Sequence, residues 1–311
     1  MPNRFNPIFD PASAQTAAMA GLFELVLVIC AVILAIVTGL VVASLLRFRA
    51  RPDAVEPRPY FGNRKLEIIW TAGPLLVVGW LFTLTAQGMR QADPPADQPP
   101  DIIVTGHQWW WEVRYLSGGV VTANEIHLPT GRKWLVRLAS ADVIHDFWVP
   151  ELARKMQMIP GQTNQLWLEA DTPGTYAGEC AEYCGAQHAW MRLTVIAESP
   201  TTFAAWLQHQ ELPAAGPVAA SAQNGLHLFQ TLTCINCHPL RGVATGASAA
   251  PDLTHLVGRQ TLGAGVLVLT ETNLFRWLKD PQAGKPGCLM PDLKLTDPQA
   301  RALVSYLETL Q

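Results

Sequence analysis

The sequence predicts a multidomain membrane protein: an N-terminal two-helix transmembrane hairpin, an all-β sandwich and a small all-α domain at the C-terminal end. Three observations carry this expectation. Residues 25–46 and 68–86 run for 22 and 19 residues without a charge, and at about 1.5 Å of rise per residue each run spans a hydrocarbon core of roughly 30 Å. Residues 101–198 break into short runs of β-branched, aromatic and aliphatic residues separated by turn formers. The segment from residue 222 onward carries apolar side chains at spacings of three and four, the helical period. The composition, 49% hydrophobic and 15% charged, excludes a disordered chain. A formal charge of −3 leaves no basic surface of the size a polyphosphate needs, so nucleic acid is not an expected partner.

The hairpin is expected over residues 1–91, with spans at about 22–46 and 68–86. The first run exceeds the apolar stretch of a cleaved signal, and only Arg4 precedes it. Between the spans lie Arg47, Arg49, Arg51, Arg58, Arg64 and Lys65 against Asp53, Glu56 and Glu67. The positive-inside bias therefore places this loop in the cytoplasm and both termini outside a bacterial cytoplasmic membrane. The net charge of +2 for residues 1–87 against −5 for 88–311 agrees that the two parts face different surroundings. Cys30 and Pro74, within the spans, read as a packing residue and a tolerated kink. Glu67, an acid at the cytoplasmic mouth of a span, is either an interfacial anchor or part of a proton route.

Residues 92–100, ADPPADQPP, are too rich in proline to continue a helix or join a sheet and form a stiff spacer. The β domain, residues 92–210, shows candidate strands in IIVTG, WWWEVRYL, KWLVRLAS, NQLWLEA, TYAGE and MRLTVIA. A linker over residues 211–221, ELPAAGPVAAS, leads to the helical domain of residues 222–311, where NLFRWLKD and PQARALVSYLETL are helical. Of six cysteines, Cys180/Cys184 and Cys234/Cys237 form close pairs. An exported domain makes a disulfide the simplest reading of each, yet both pairs are accompanied by residues a disulfide does not need.

The segment CAEYCGAQHAWM places Cys180, Cys184, His188 and Met191 within twelve residues. Thiolate, imidazole and thioether are the soft donors that suit copper, whereas a structural zinc site has no use for Met. A mononuclear blue-copper site needs a single Cys, so the second thiolate points to two bridged copper ions. Each ion then takes one His, with Met and a backbone carbonyl as weaker ligands, and a second His is required. His145 in VIHDFWVP, after one strand and before another, is the candidate. A rigid dinuclear site sharing one electron suits electron transfer and not bond making.

Cys234, Cys237 and His238 in CINCH form the c-type haem attachment motif, two thiols for thioether bonds and an imidazole for the iron. It follows a short helical pattern at 225–231, and Met290-Pro291 lies before the last helix, so Met290 is the expected sixth ligand. His255 is a rival ligand in the loop after Pro251, and Cys288, two residues from Met290, is a free thiol either inert or oxidisable.

With these residues on the page, CAEYCGAQHAWM, VIHDFWVP, GHQWWWEVRY and LEIIWTAGP behind a two-span anchor resemble subunit II of the haem-copper cytochrome c oxidases. Residues 222–311 resemble class I cytochrome c, with Pro251 at the family's proline beside the proximal His. The resemblance implies a cupredoxin-like sandwich holding a dinuclear copper A centre on His145, Cys180, Cys184, His188, Met191 and the backbone carbonyl of Glu182. It implies that the Glu182 side chain reaches a magnesium ion at the border with subunit I, that Trp109 is the electron-entry residue, and that Glu67 sits at the mouth of a proton channel. The fusion of the two domains resembles caa3-type oxidases. Electrons are then expected to pass from the covalent haem c to copper A and on to haem a of subunit I, where oxygen is reduced to water and protons are pumped. Expected partners are subunits I and III, membrane lipid, and an external cytochrome c or a membrane quinol–cytochrome c reductase as donor. Arg114 and Gln157 stand where mitochondrial-type members carry acids that attract a basic cytochrome, a loss that a tethered donor tolerates. Two alternatives share this domain pattern: the copper A and haem c subunit of a haem-copper nitric oxide reductase, and a membrane-anchored redox carrier with no catalytic partner.

Overall fold

The computed structural model describes residues 9–49, 52, 59–95, 97–243 and 249–311. Arg4, Arg51, Asp53, Glu56 and Arg58, which entered the orientation reading, lie outside the described residues. The chain divides into two compact units, Ala17–Ala92 and a second that joins the residues up to Thr16 to Asp93–Gln311.

The first unit is the hairpin, with helix α1 Ala14–Arg47 and helix α2 Arg64–Ala92. At 34 and 29 residues both are longer than the uncharged runs and longer than a bilayer core requires. Their apolar side chains are exposed, Leu34, Ile69 and Phe82 among them, as befits helices whose solvent is lipid. Asn63 caps α2 by accepting from the N–H groups of Lys65 and Leu66. Pro74 lies inside α2, and Glu67 occupies its first turn, where the helix dipole favours an acid.

The second unit opens with the entry of α1. Ser13 and Thr16 are buried, and their hydroxyls donate to the carbonyls of Leu152 and Glu151 at 2.8 Å each. After Asp93 come ten strands: β1 Ile102–His107, β2 Trp110–Tyr115, β3 Val121–Ala123, β4 Glu125–Pro129, β5 Trp134–Ser140, β6 His145–Trp148, β7 Met156–Met158, β8 Asn164–Leu168, β9 Gly174–Cys180 and β10 Arg192–Glu198. They form two five-stranded sheets, ordered β3-β2-β1-β5-β8 and β4-β10-β9-β6-β7. The pairs β1/β5 and β10/β4 are parallel, and the other pairs are antiparallel. Inward residues of both sheets, such as Val104, Trp111, Leu138, Phe147, Leu166 and Val195, make one core. Helix α3, Pro200–Gln210, starts at a Ser199 cap and closes one end by packing Phe203 and Trp206 on Tyr115.

Helices α4 Ala220–Thr231, α5 Glu271–Lys279, the single turn α6 Pro281–Gly284 and α7 Asp297–Leu307 build the last part, with a two-stranded ribbon of β11 Thr261–Leu262 and β12 Leu267–Val268. Its core is separate, assembled from Phe229, Leu240, Leu274, Leu303 and Tyr306. Helices α4 and α7 cross at Gly225, where a Cβ would meet the Ala302 carbonyl at 2.0 Å, so only glycine admits this approach. The linker read from the sequence as a flexible tether is pinned. Ala214 donates to Arg241, the Arg241 guanidinium donates to the Gln210 and Glu211 carbonyls, and Leu212 meets the His255 ring.

Candidate metal centre and haem cavity

Two neighbouring strands of one sheet and the loop between β9 and β10 carry the soft donors. Cys180 ends β9, His145 opens β6 instead of preceding a strand as expected, and His188 and Met191 stand on the short 3-10 turn leading into β10. The register pairs Phe147 with Cys180, and the Cys180 N–H donates to the Met191 carbonyl at 3.1 Å, so the ladder itself brings the segments together. His145 is fully buried, and this requires Gly106 opposite, because a Cβ there would lie 2.8 Å from the imidazole.

The donor atoms converge. Cys180 Sγ and Cys184 Sγ are 3.8 Å apart, His145 Nδ1 is 3.9 Å from the first and His188 Nδ1 is 3.7 Å from the second. Met191 Sδ lies 3.8 Å from Cys184 Sγ, and the Glu182 carbonyl lies 3.2 Å from Cys180 Sγ. His145, Cys180 and Cys184 offer atoms that all lie within 4.8 Å of one another. The Cys184 thiol's hydrogen bond draws Cys180 down to about 3, and the same bond, with burial, pushes Cys184 upward. The close sulfurs thus oppose each other's ionisation, and ionising both calls for positive charge at this spot, which fits a metal centre. Burial pulls His145 down, but hydrogen bonds with Cys180 and Asp142 outweigh it and the net shift is upward. His145 Nε2 donates to Asp142 Oδ1 at 2.8 Å, which turns Nδ1 toward the sulfurs. Asp142 escaped the sequence reading, although a carboxylate three residues before a candidate ligand is a usable signal.

The Glu182 side chain faces outward and accepts from Gln157 Nε2 at 3.4 Å. The three tryptophans divide. Trp111 is buried in the core against Phe147, and Trp110 stacks on His107 with ring centroids 4.3 Å apart. Trp109 Nε1 donates to the Cys184 carbonyl at 3.0 Å, beside Gln108 Nε2 at 2.7 Å to the same oxygen.

Trp109, with Gln108, Trp110 and Asn124 of the sandwich, also lines a cavity of about 250 Å³ whose remaining walls come from the helical part, including Cys234, Cys237, His238 and Met290. His238 Nδ1 donates to the Pro251 carbonyl at 2.8 Å, which leaves Nε2 as the free ligand atom. Met290 Sδ accepts from Trp277 Nε1 at 3.1 Å. Arg259, missed by the sequence reading, lines the same cavity. Its Nη2 donates to the Asp252 carbonyl, while its Nε is buried without a partner. Burial lowers its pKa, with Asp252 and Glu125 acting the other way, and a buried guanidinium in an apolar wall suits an anionic substituent such as a haem propionate. His255 is directed elsewhere, toward the carbonyls of Leu212 and Gln311. Cys288 lines the cavity beside Met290, and burial raises its pKa, so it has little thiolate character. Glu67 belongs to the hairpin unit and to neither site.

Three comparisons bear on this geometry. The families described as cytochrome c oxidase subunit II, transmembrane domain and periplasmic domain, match residues 3–85 and 118–198, and the cytochrome c family matches residues 222–311. Cytochrome c oxidase subunit 2 of Alkalihalophilus pseudofirmus is 35% identical over 310 residues, covering 97% of this chain and 90% of that protein. The same subunit of Bacillus sp. strain PS3 is 34% identical, covering 82% and 77%. Among solved structures, the periplasmic domain of subunit II of cytochrome oxidase from Bradyrhizobium japonicum is 30% identical, covering 38% of this chain and 96% of that one, with a TM-score of 0.36.

Proposed function

Because the chain belongs to the cytochrome c oxidase subunit II family and carries a cytochrome c domain, we propose that it is the electron inlet of a caa3-type oxidase, receiving electrons at a covalent haem c and passing them through copper A to subunit I. Its domain content implies copper A and haem c, and both sets of residues fit those groups. When bound, the two groups supply one-electron centres of little rearrangement, while oxygen reduction and proton pumping belong to the larger complex.

The residues of this chain then hold, orient and insulate. Cys180, Cys184, His145 and His188 would hold the copper ions, with Met191 and the Glu182 carbonyl as weaker donors. Asp142 keeps the His145 tautomer. Cys234 and Cys237 would anchor a haem, His238 and Met290 would supply its iron ligands, and Arg259 would compensate a propionate. The observation that carries the reading is the double placement of Trp109, a wall of the haem cavity whose ring N–H is bonded to the carbonyl of a copper-bridging cysteine.

Further parts of the proposal rest on the family resemblance. The soluble part lies outside a bacterial cytoplasmic membrane, with the loop between α1 and α2 in the cytoplasm. Glu182 reaches magnesium at the border with subunit I, Glu67 sits at a proton-channel mouth, subunit III joins the complex, and the donor is an external cytochrome c or a membrane quinol–cytochrome c reductase. The test is purification of the tagged chain in mild detergent from its native membrane. A co-purifying large haem subunit and azide-sensitive oxygen uptake are expected. A complex that reduces nitric oxide in place of oxygen, or a chain that purifies alone, overturns the proposal.

A further inference from the structure

The haem-bearing part and the sandwich are joined by two buried charged side chains to which neither site gives a ligand role, although Lys285 also stands in the cavity wall. Lys285, 3% exposed, follows α6, and its ammonium donates to three backbone carbonyls: Trp109 at 2.9 Å, Trp190 at 2.9 Å and Gly263 at 3.0 Å. Trp109 is the residue between the two centres, Trp190 lies between the donors His188 and Met191, and Gly263 is in the haem-cavity wall. Three donors on one tetrahedral ammonium are thereby satisfied by three chain segments, two from the sandwich and one from the helical part. Glu125, 1% exposed, opens β4 of the sandwich. Its Oε1 accepts from the N–H of Gln260 at 2.9 Å, the N–H of Thr261 at 3.0 Å and the Thr261 hydroxyl at 3.0 Å, all in the helical part.

Burying an ammonium and a carboxylate is costly unless every donor and acceptor finds a partner. A non-specific contact between two domains on a tether has no reason to meet that cost, and a single register does. Each side chain here makes bonds that exist only when the two parts are docked in this one arrangement. Burial pulls Lys285 down to about 8, so it remains an ammonium at neutral pH.

We propose that Lys285 and Glu125 are positioning residues, a two-point latch that holds the haem domain on the copper domain in one register and keeps Trp109 against the haem cavity. The proposal rests on the electron-inlet reading for its purpose but not for its existence. The latch replaces a search by the tethered domain with a fixed path, so transfer between the centres does not wait on diffusion of the linker.

The test uses the full chain in detergent, loaded with copper and haem, in Lys285→Met and Glu125→Gln forms. Two readouts are taken beside the copper and haem spectra, which both variants are expected to keep. The first is hydrogen exchange of the peptide containing Gln260 and Thr261. Lys285 touches neither residue, so faster exchange there in Lys285→Met reports undocking and not a local loss. The second is the rate of electron transfer from photoreduced haem c to copper A, expected to fall at least about tenfold in either variant and to become dependent on solvent viscosity as domain search takes over. Unchanged exchange at 260–261 together with an unchanged, viscosity-independent rate in Lys285→Met overturns the latch. Should Lys285→Met fail to fold, the same result in Glu125→Gln at Trp190 and Gly263 overturns it. Absence of haem-to-copper transfer in the unmodified chain sinks the electron-inlet reading instead, and the exchange experiment still decides the latch.

Discussion

In the sandwich, His145 and Cys180 stand on neighbouring strands and the other candidate copper donors on the loop between β9 and β10, which the backbone ties down through Cys180 to Met191 and Ala181 to Asp146. In the helical part, the candidate haem residues stand on irregular chain. Cys234 opens a single 3-10 turn, Thr233 before it is held at a φ of 69°, and Met290 lies in the turn-rich stretch between α6 and α7. The difference teaches where each site takes its rigidity. The candidate copper donors are held in part by a sheet that folds for its own reasons, whereas the candidate haem residues have the turns around them and the sandwich wall supplied by Gln108, Trp109 and Trp110.

The sharpest way to break this contrast is to remove one bridging thiolate. Cys184→Ser is expected to reduce the copper content from two ions to one or none, erase the shared-valence spectrum and lower turnover by more than about 100-fold. The sandwich is expected to keep its fold by circular dichroism, because its core of Val104, Trp111, Phe147 and Val195 does not involve the metal. The haem absorption should be unchanged. Collapse of the β signal together with copper loss would show that the sheet needs its metal after all.

Met290→Ala is the corresponding change on the other side, and its effect is expected to be smaller. The thioether bonds come from Cys234 and Cys237, so covalent haem stays, while the sulfur ligand is lost and the reduction potential falls. A retained sulfur-to-iron band near about 695 nm would reject Met290 as ligand. Because Trp277 Nε1 now donates to Met290 Sδ, the variant also frees an indole N–H in the cavity wall. Helical content, which the cavity supports only in part, is expected to drop slightly more than in the copper variant.

Between these regions the sequence was unequally readable. Strand β1, IIVTGH, was visible as a run of β-branched residues before a glycine, although its alternating burial is not written in its sequence. Strand β4, EIHLP, alternates polar and apolar residues, yet it is buried at every position, Glu125 and His127 included, so the outward face that alternation predicts does not exist. Their burial follows from partners remote in sequence, Gln260 and Thr261 for Glu125 and the Trp206 ring for His127. Helix α3 carried a local signal, Ser199 followed by Pro200, yet lay in a stretch assigned to the end of the β domain. The copper donors were legible because four of them fall within twelve residues of distinctive chemistry. Lys285 was not, since its three carbonyl partners come from residues 109, 190 and 263, and no spacing rule connects them.

Asp142→Asn sharpens the claim that the copper site is held by its surroundings. The carboxylate accepts from His145 Nε2, and also from the N–H groups of Gln108 and Val143, so it fixes both the ring and the chain that carries Trp109. An amide can keep the shape but has a weaker acceptor for the imidazole. Copper affinity measured by competition with a chelator is expected to fall about 10- to 100-fold. The dinuclear spectrum should survive at saturating copper, which separates a loss of orientation from a loss of a ligand. No change in affinity would mean that the sheet alone orients His145.

The smallest expected effect tests whether the haem domain shields the copper entry from outside donors. Arg114 is exposed on β2, the strand that begins at Trp110, and pairs with Glu112 at 3.1 Å. Reversing its charge with Arg114→Glu places an acid where family members served by a separate basic cytochrome have one. If the copper domain were open to such a donor, electrostatic steering would raise the second-order rate with a basic cytochrome c many-fold at low salt. With the helical part packed on the sandwich, the Trp109 face is already a wall of the cavity, and on the proposed function a haem held there is what an outside donor would reach first. The rate with a basic cytochrome is therefore expected to rise by less than about threefold, and the gain should vanish near 0.2 M salt, where the screening length is roughly 7 Å. Stability should be unaffected, since an exposed pair of this kind contributes about 0–1 kcal/mol. A large, salt-sensitive increase that persists when haem c is held oxidised would mean that copper A is reached directly from outside, and that the contrast between a shielded copper site and an exposed haem is wrong.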